Sequence, residues 1–241
     1  YQAKTHNAKV IYVVGMKSGR WPECHLPNWV KDLSKTEQQD ELLEYVKEVV
    51  VRYKNNEAIV AWQAENEPLF YFGVCPWYDK NFLKKEVQLI KSLDTRPVIV
   101  SDSGEQSLWF GAAQIGDVVG TTLYRKVWVH ITDSLGFYMD LPLPPISYWA
   151  KAQVVKKLFN KNVINVELQA EPWIPEVSYD TLVDQQAKTM DVDQFKKNIT
   201  YARTTGLSEF YFWGVEWWYW MKEKQGQPEI WNEAKVLFQT Q

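Results

Sequence analysis

"IVAWQAENEP", residues 59–68, governs how this chain folds on paper. Its first half is an apolar run without polar alternation, the pattern of a strand buried on both faces of a sheet. Its second half sets Glu65, Asn66 and Glu67 in a row and stops them with Pro68. Ionisable groups therefore crowd the place where a buried strand emerges.

The same design recurs along the chain. Apolar β-type runs lie at residues 10–15, 59–64, 98–101, 118–123, 163–167 and 210–213, with helical patterns between most of them. Leu42, Leu43, Val46, Val49, Val50 and Tyr53 keep helical spacing behind a cap-like Ser34-Lys35-Thr36-Glu37. Phe82, Leu83, Val87, Ile90 and Leu93 repeat that spacing after Asp79. A third helix is expected from about Ser147 to Phe159, and a fourth carries Phe195, Ile199 and Ala202 and ends at Gly206.

Strands alternating with helices predict a parallel sheet. Polar groups gather at the carboxyl end of strand after strand: Lys17 to His25, Glu65 to Glu67, Ser101 to Glu105, Tyr124 to His130, Glu167 to Glu171, and Glu216. A barrel brings such ends to one rim, whereas an open sheet spreads them along a line. The expected fold is therefore α/β of the (β/α)8 TIM-barrel type, with about six β/α units in the sequence. No linker divides residues 1–241, which read as one domain. "YQAKTHNAKV" reads as the tail of a helix entering the strand Val10–Gly15, so the first two strands are expected to be missing. Unpaired parallel edges would then favour self-association.

Composition narrows the function. A formal net charge of −3 offers no basic stripe for nucleic acid. No apolar stretch approaches the roughly 18 residues of a membrane span. Cys24 and Cys75 can pair, but two cysteines fit no metal motif and fix no redox compartment. With three histidines and no His pair at helical spacing, neither a metal nor a cofactor is expected. The 13 tryptophans are the unusual feature, because flat rings with a polar edge suit sugars as well as cores.

Asn66-Glu67-Pro68 at a strand end resembles the Asn-Glu-Pro signature of the clan A retaining glycoside hydrolases, the (β/α)8 group that includes the cellulase-like family 5. Counting the first strand here as the clan's third makes "IVAWQAENEP" strand four and "VINVELQAEPW" strand seven. The resemblance then implies that Glu67 is the acid/base and Glu167 the nucleophile, with Glu171 held in reserve as nucleophile or hydroxyl binder. Two carboxyls about 5–5.5 Å apart would cleave a β-glycosidic bond by double displacement. The implied substrate is an oligo- or polysaccharide of β-glucan or mannan type.

Further site residues come by the same resemblance. Asn66 would bind the hydroxyl beside the reacting carbon, and Trp213 would floor the sugar. Tyr124 would hydrogen-bond the nucleophile. His25 and Trp21, in "KSGRWPECHLPNW", would line the cleft, with Trp128 and His130 reaching it from beyond Tyr124. Trp217 and Trp218 would extend the cleft, and Glu216 would bind hydroxyls. Glu65 is expected to be a buried partner for a basic residue. The segment Arg125 to Pro145 would wall one side. The alternative is a non-catalytic carbohydrate-binding barrel, because the Arg that the clan carries on strand two lies outside this sequence. Serine-esterase, nucleotide-hydrolase and dehydrogenase motifs are absent. The sequence assigns no compartment; secretion or a cell-envelope location would require a signal ahead of Tyr1.

Overall fold

The computed structural model describes residues 2–132, 135–175, 179 and 181–239. The chain divides into two compact units, one formed by residues up to Thr121 with Lys151–Ile164, the other by Thr122–Ala150 with residues from Asn165 onward.

In the first unit, a short helix α1 (Gln2–Thr5) leads into β1 (Val10–Val14). A 3-10 turn at Asn28–Val30 precedes helix α2 (Lys35–Tyr53), which Ser34 and Glu37 open with a reciprocal capping box. β2 (Ile59–Ala64) follows, then α3 (Lys80–Leu93), β3 (Val98–Asp102), α4 (Phe110–Ile115) and the start of β4 (Val118–Leu123). The strands lie in the order β1, β2, β3, β4, each parallel to the next. Parallel register sets Ala64 beside Val14, and Asp102 beside Thr121, so the carboxyl ends all lie at one end of the sheet. Helix α2 packs on α3, burying Val46 and Val50 from one and Phe82, Leu83, Val87 and Ile90 from the other. Asp79 accepts from the N–H groups of Asn81 and Phe82 and starts α3. The Lys35 ammonium on Asp79, aided by the Phe82 N–H, holds that carboxyl down to about 2.

The second unit carries the end of β4, then β5 (Lys126–Thr132) and β6 (Leu135–Asp140), which pair antiparallel. Helix α5 (Ile146–Phe159) begins here and continues into the first unit; β7 (Asn162–Gln169) runs the other way, from the first unit into the second. After α6 (Val183–Gln186) and α7 (Val192–Arg203), β8 (Phe210–Trp213) pairs parallel with β7. Helices α8 (Val215–Lys224) and α9 (Glu229–Gln239) close the chain. Phe195, Trp217, Trp218, Met221, Ile230 and Ala234 form the core of this unit.

All six expected strands and the four expected helices are present. Two differences have plain causes. The tryptophans beyond Trp213 are helical: β8 stops at Trp213, Gly214 takes a φ of +122°, and a helix follows. Trp217, Trp218 and Met221 then fall on one helical face and are buried. The segment after Arg125 is not a featureless wall but a hairpin, in which Lys126–Thr132 pairs with Leu135–Asp140.

Candidate active site

β2 ends in two non-glycine residues with left-handed backbone, Glu65 (φ +61°) and Glu67 (φ +42°). Such conformations persist only where the surroundings hold them, and here the supports can be named. The Glu65 carboxylate accepts from the N–H of Met16 at 2.7 Å and from the N–H of Lys17. Gly15 makes room for it with φ +132°, since a Cβ there would lie 2.4 Å from Glu65 Oε1. The third partner is Glu86 of α3, 2 % exposed. Burial drives the Glu86 carboxyl well above its ordinary range, and the neighbouring Glu65 charge drives it further. Burial raises Glu65 too, against the hydrogen bond from Glu86 and those from Met16 and Lys17. Glu86 is thus the protonated member and donates to Glu65. Its Oε1 has no hydrogen-bond partner among the described residues, and Glu86 is one of the residues that line a cavity of ≈ 20 Å³.

The next turn is fixed equally firmly. The N–H of Glu67 donates to Ser101 Oγ on β3 at 2.8 Å. Gln63 Nε2 donates to that same oxygen at 3.2 Å and to the Glu65 carbonyl at 3.1 Å. Buried Lys17 donates from Nζ to the carbonyls of Glu67 and Phe70, each at 2.9 Å. Glu67 itself is 8 % exposed and Asn66 4 %. Asn66 bonds through its side chain to Glu23, a carboxyl that burial raises against the charge of Lys17. Beyond β3, Asp102 accepts from Ser107 Oγ at 2.6 Å, and burial lifts its carboxyl. Lys151 clamps that loop by donating to the carbonyls of Gly104 and Ser107, 4.1 Å above the Trp109 ring; burial lowers its ammonium to about 8.

In the second unit, Glu167 lies within β7 rather than at its end. Alternation puts Asn165, Glu167 and Gln169 on one face of the strand. Buried polar side chains must find partners; Asn165 Nδ2 donates to the Glu167 carbonyl at 3.3 Å, and Glu167 and Gln169 are held through their side chains. Tyr124, the residue after β4, donates its hydroxyl to Glu167 Oε2 at 2.8 Å, a bond strongest when the carboxylate is ionised. Gln169 accepts from the N–H of Arg125 at 2.8 Å and of Lys126 at 3.0 Å, and donates to the Lys126 carbonyl at 2.6 Å. This carboxamide fixes the chain on leaving Tyr124. Trp173 meets the Tyr124 ring edge-on, centroids 5.0 Å apart, and holds the phenol from the side. Asn198 of α7 secures the Gln169 carbonyl at 2.9 Å.

The sequence model of "Glycosyl hydrolases family 2, TIM barrel domain" matches residues 8–171. The chain belongs to that family. Family 2 replaces the cellulase-like family 5 as the assignment, because an Asn-Glu-Pro triplet marks the clan and does not resolve families within it. Over 109 residues the chain is 40 % identical to the probable mannan endo-1,4-beta-mannosidase A of Aspergillus niger, a stretch covering 43 % of this chain and 24 % of that protein. This chain therefore aligns with about a quarter of that relative's length. Among solved structures, the beta-glucuronidase of an uncultured Clostridium sp. is similar at TM-score 0.55 and 15 % identity, over 88 % of this chain and 34 % of that one. The beta-galactosidase of the psychrophilic Marinomonas ef1 gives TM-score 0.55 and 12 % identity, over 87 % of this chain and 44 % of that one. At these identities the structural likeness speaks for the fold alone.

The remaining sequence-chosen residues lie in different surroundings. Trp213 ends β8 in register with Gln169, and the partly buried Glu171 follows β7. Trp21 is 66 % exposed; His25, also exposed, lies 3.1 Å through Nε2 from the Arg20 carbonyl. Glu216 is exposed in the first turn of α8, where an acid favours the helix dipole. Trp217 and Trp218 are core residues instead of cleft walls: Trp217 donates to Gln186 Oε1 at 2.6 Å and Trp218 to the Ala170 carbonyl at 2.7 Å. Trp128 packs on Tyr138 within the hairpin, and His130 is exposed there. Glu65 takes backbone N–H groups and a protonated carboxyl as its main partners, where a basic side chain was expected. Ser101, Lys17, Glu86 and Gln169 were missed as positioning residues. Only the period-two polar run Asn165-Glu167-Gln169 carried a sequence signal for one of them. Among the described residues no cluster of His, Cys, Asp or Glu could hold a metal, and no helix is long and apolar enough to cross a membrane.

Proposed function

We propose that this chain carries the catalytic machinery of a retaining β-glycosidase acting on β-mannan-type saccharides, with Glu67 as acid/base and Glu167 as nucleophile. The single observation that supports it most is the Tyr124 hydroxyl on Glu167 Oε2 at 2.8 Å. A donor held there orients the carboxylate for attack on an anomeric carbon and favours its charged form. Glu67 donates its proton to the leaving oxygen, and after the covalent glycosyl intermediate forms it takes a proton from water to complete the second displacement. Asn66 contacts the hydroxyl next to the reacting carbon. The mannan preference leans on the 40 % identity to the Aspergillus niger mannosidase over 109 residues; β-glucan is the comparison substrate.

The test is turnover of β-1,4-mannan and β-1,4-glucan oligosaccharides by the full chain, with the product anomer followed by NMR. Release of the β-anomer is expected, with Glu67→Gln and Glu167→Gln each lowering kcat by about 10²–10⁴-fold. Inversion, or turnover that survives Glu67→Gln, overturns the assignment. Sugar binding without turnover in the parent chain would point instead to a binding barrel.

A further inference from the structure

Glu23, in the loop after β1, is 7 % exposed and holds a left-handed backbone at φ +74°. A non-glycine residue keeps that conformation only under restraint, and this one is restrained from several sides. Its N–H donates to the Arg20 carbonyl at 2.6 Å, and its carbonyl accepts from the Ser18 N–H at 2.9 Å. Cys24, the next residue, is tied to Cys75 by the disulfide and bridged to Lys17. Gly73, at φ +95°, leaves the space that the side chain passes through: a Cβ there would lie 2.5 Å from the Glu23 Cβ and 2.7 Å from its Cγ. A carboxyl buried this way is disfavoured unless hydrogen bonds and nearby charges offset its lost hydration. Lys17, His25 and Arg20 supply the charge, and Asn66 supplies the hydrogen bond.

A chain of hydrogen bonds fixes which end of the Asn66 carboxamide points where. The Glu65 carbonyl can only accept, so the end of Gln63 that meets it at 3.1 Å is Nε2. The same nitrogen lies 3.4 Å from Asn66 Oδ1, which turns the oxygen of Asn66 toward Gln63. Nδ2 is left for Glu23, whose carboxyl accepts from it. Glu23 Oε2 is buried and has no hydrogen-bond partner among the described residues, so Asn66 is the group that the carboxyl grips. We propose that Glu23 is a positioning residue of the glycosidase reaction, locking the Asn66 carboxamide so that its second N–H is held for the hydroxyl next to the reacting carbon. This rests on the glycosidase reading and adds the residue that orients Asn66 before substrate arrives. An amide nitrogen carries two hydrogens; Glu23 takes one and the other remains for a ligand. A carboxamide free to turn over would offer the sugar its oxygen as readily as its nitrogen, whereas one locked between Gln63 and Glu23 needs no reorganisation as the bond breaks. Hydrogen bonds to that hydroxyl strengthen in the transition state, so losing the lock lowers kcat more than it raises KM.

The test compares an aryl β-mannoside with its 2-deoxy counterpart, which lacks the hydroxyl that Asn66 meets. Glu23→Ala is expected to lower kcat on the mannoside by about tenfold with KM within about threefold, and to change the 2-deoxy substrate by less than about twofold. Glu23→Gln, whose side-chain oxygen still accepts from Nδ2, should recover most of the loss. Glu23→Met fills the same space without a strong acceptor and takes the place of Glu23→Ala should that variant not fold. Equal losses on both substrates make Glu23 a residue of the fold alone, and no loss on either makes it idle; both overturn the proposal. If the parent turns over neither substrate, the glycosidase reading fails by itself. In that case, or where the 2-deoxy rate is too low to measure, the lock is judged by the Asn66 side-chain N–H signals in NMR, assigned by their absence from Asn66→Ala. Collapse of these signals toward those of a free carboxamide in Glu23→Ala supports the lock; unchanged signals overturn it.

Discussion

Replacing Glu86 by Gln should change how stability depends on pH, and the size of the change follows from the buried carboxyl pair. Glu65 and Glu86 are 4 % and 2 % exposed, and Glu86 supplies the shared proton. Burial and the Glu65 charge raise the Glu86 carboxyl in the folded state above the 4.5 of a free side chain. The stabilisation from the held proton is therefore complete below that ordinary value and is lost as pH rises through the raised one. Between the two, the folded chain binds one proton more than the unfolded chain, and stability falls by about 1.4 kcal/mol per pH unit. A Gln at this position still offers an N–H to Glu65 but has no proton to lose. The stability of Glu86→Gln relative to the parent should thus grow with pH at up to that slope, from a starting deficit of about 1 kcal/mol or less. Urea unfolding of both proteins from about pH 5 to about pH 8 reads this directly. Parallel profiles would refute the shared proton. Glu86→Leu is the control, since it abolishes the donor and the titration together; it should cost about 1.5–3 kcal/mol at mildly acidic pH, where the Gln variant does not.

Three other outcomes are expected. Tyr124→Phe, which removes only the donor to Glu167, should lower kcat by about 10²-fold with KM within about threefold, measured on the oligosaccharide substrate. Ser101→Ala strips the acceptor from the buried Glu67 N–H and should cost about 1–3 kcal/mol in denaturant unfolding; the same loss with Ser101→Thr would argue against a hydrogen-bonding role. Reducing the Cys24–Cys75 bridge, which closes a separation of 51 residues, should lower stability by about 4 kcal/mol, read as a shift in the urea midpoint with and without reductant.

The fold was legible wherever burial imposed a pattern. The run Ile59–Ala64 and the capping box at Ser34 told strand and helix apart before any coordinates, because both follow from local rules. The pairing of Lys126–Thr132 with Leu135–Asp140 was hidden, since both strands are partly exposed and carry no long apolar run. The tryptophans after Gly214 misled for the opposite reason: aromatic density reads as strand or cleft, while only the helical phase of Trp217, Trp218 and Met221 marks them as core. The Tyr124 contact to Glu167 was within reach of the family pattern. The supports of Glu65 and Glu67 were not: Ser101, Lys17 and Glu86 lie 34, 50 and 21 residues from the groups they hold, and pairings at such range leave no trace in a single sequence.

Gln169 has a consequence for how such proteins diversify. One carboxamide grips the Arg125 and Lys126 backbone, and the Leu141 N–H returns to the Arg125 carbonyl at 2.8 Å, so the hairpin enters and leaves through a single knot. An insert tied at its neck can be lengthened, shortened or swapped for a foreign one while Tyr124 keeps its post. Inheritance can thus try out new accessory arms without touching the inherited chemistry.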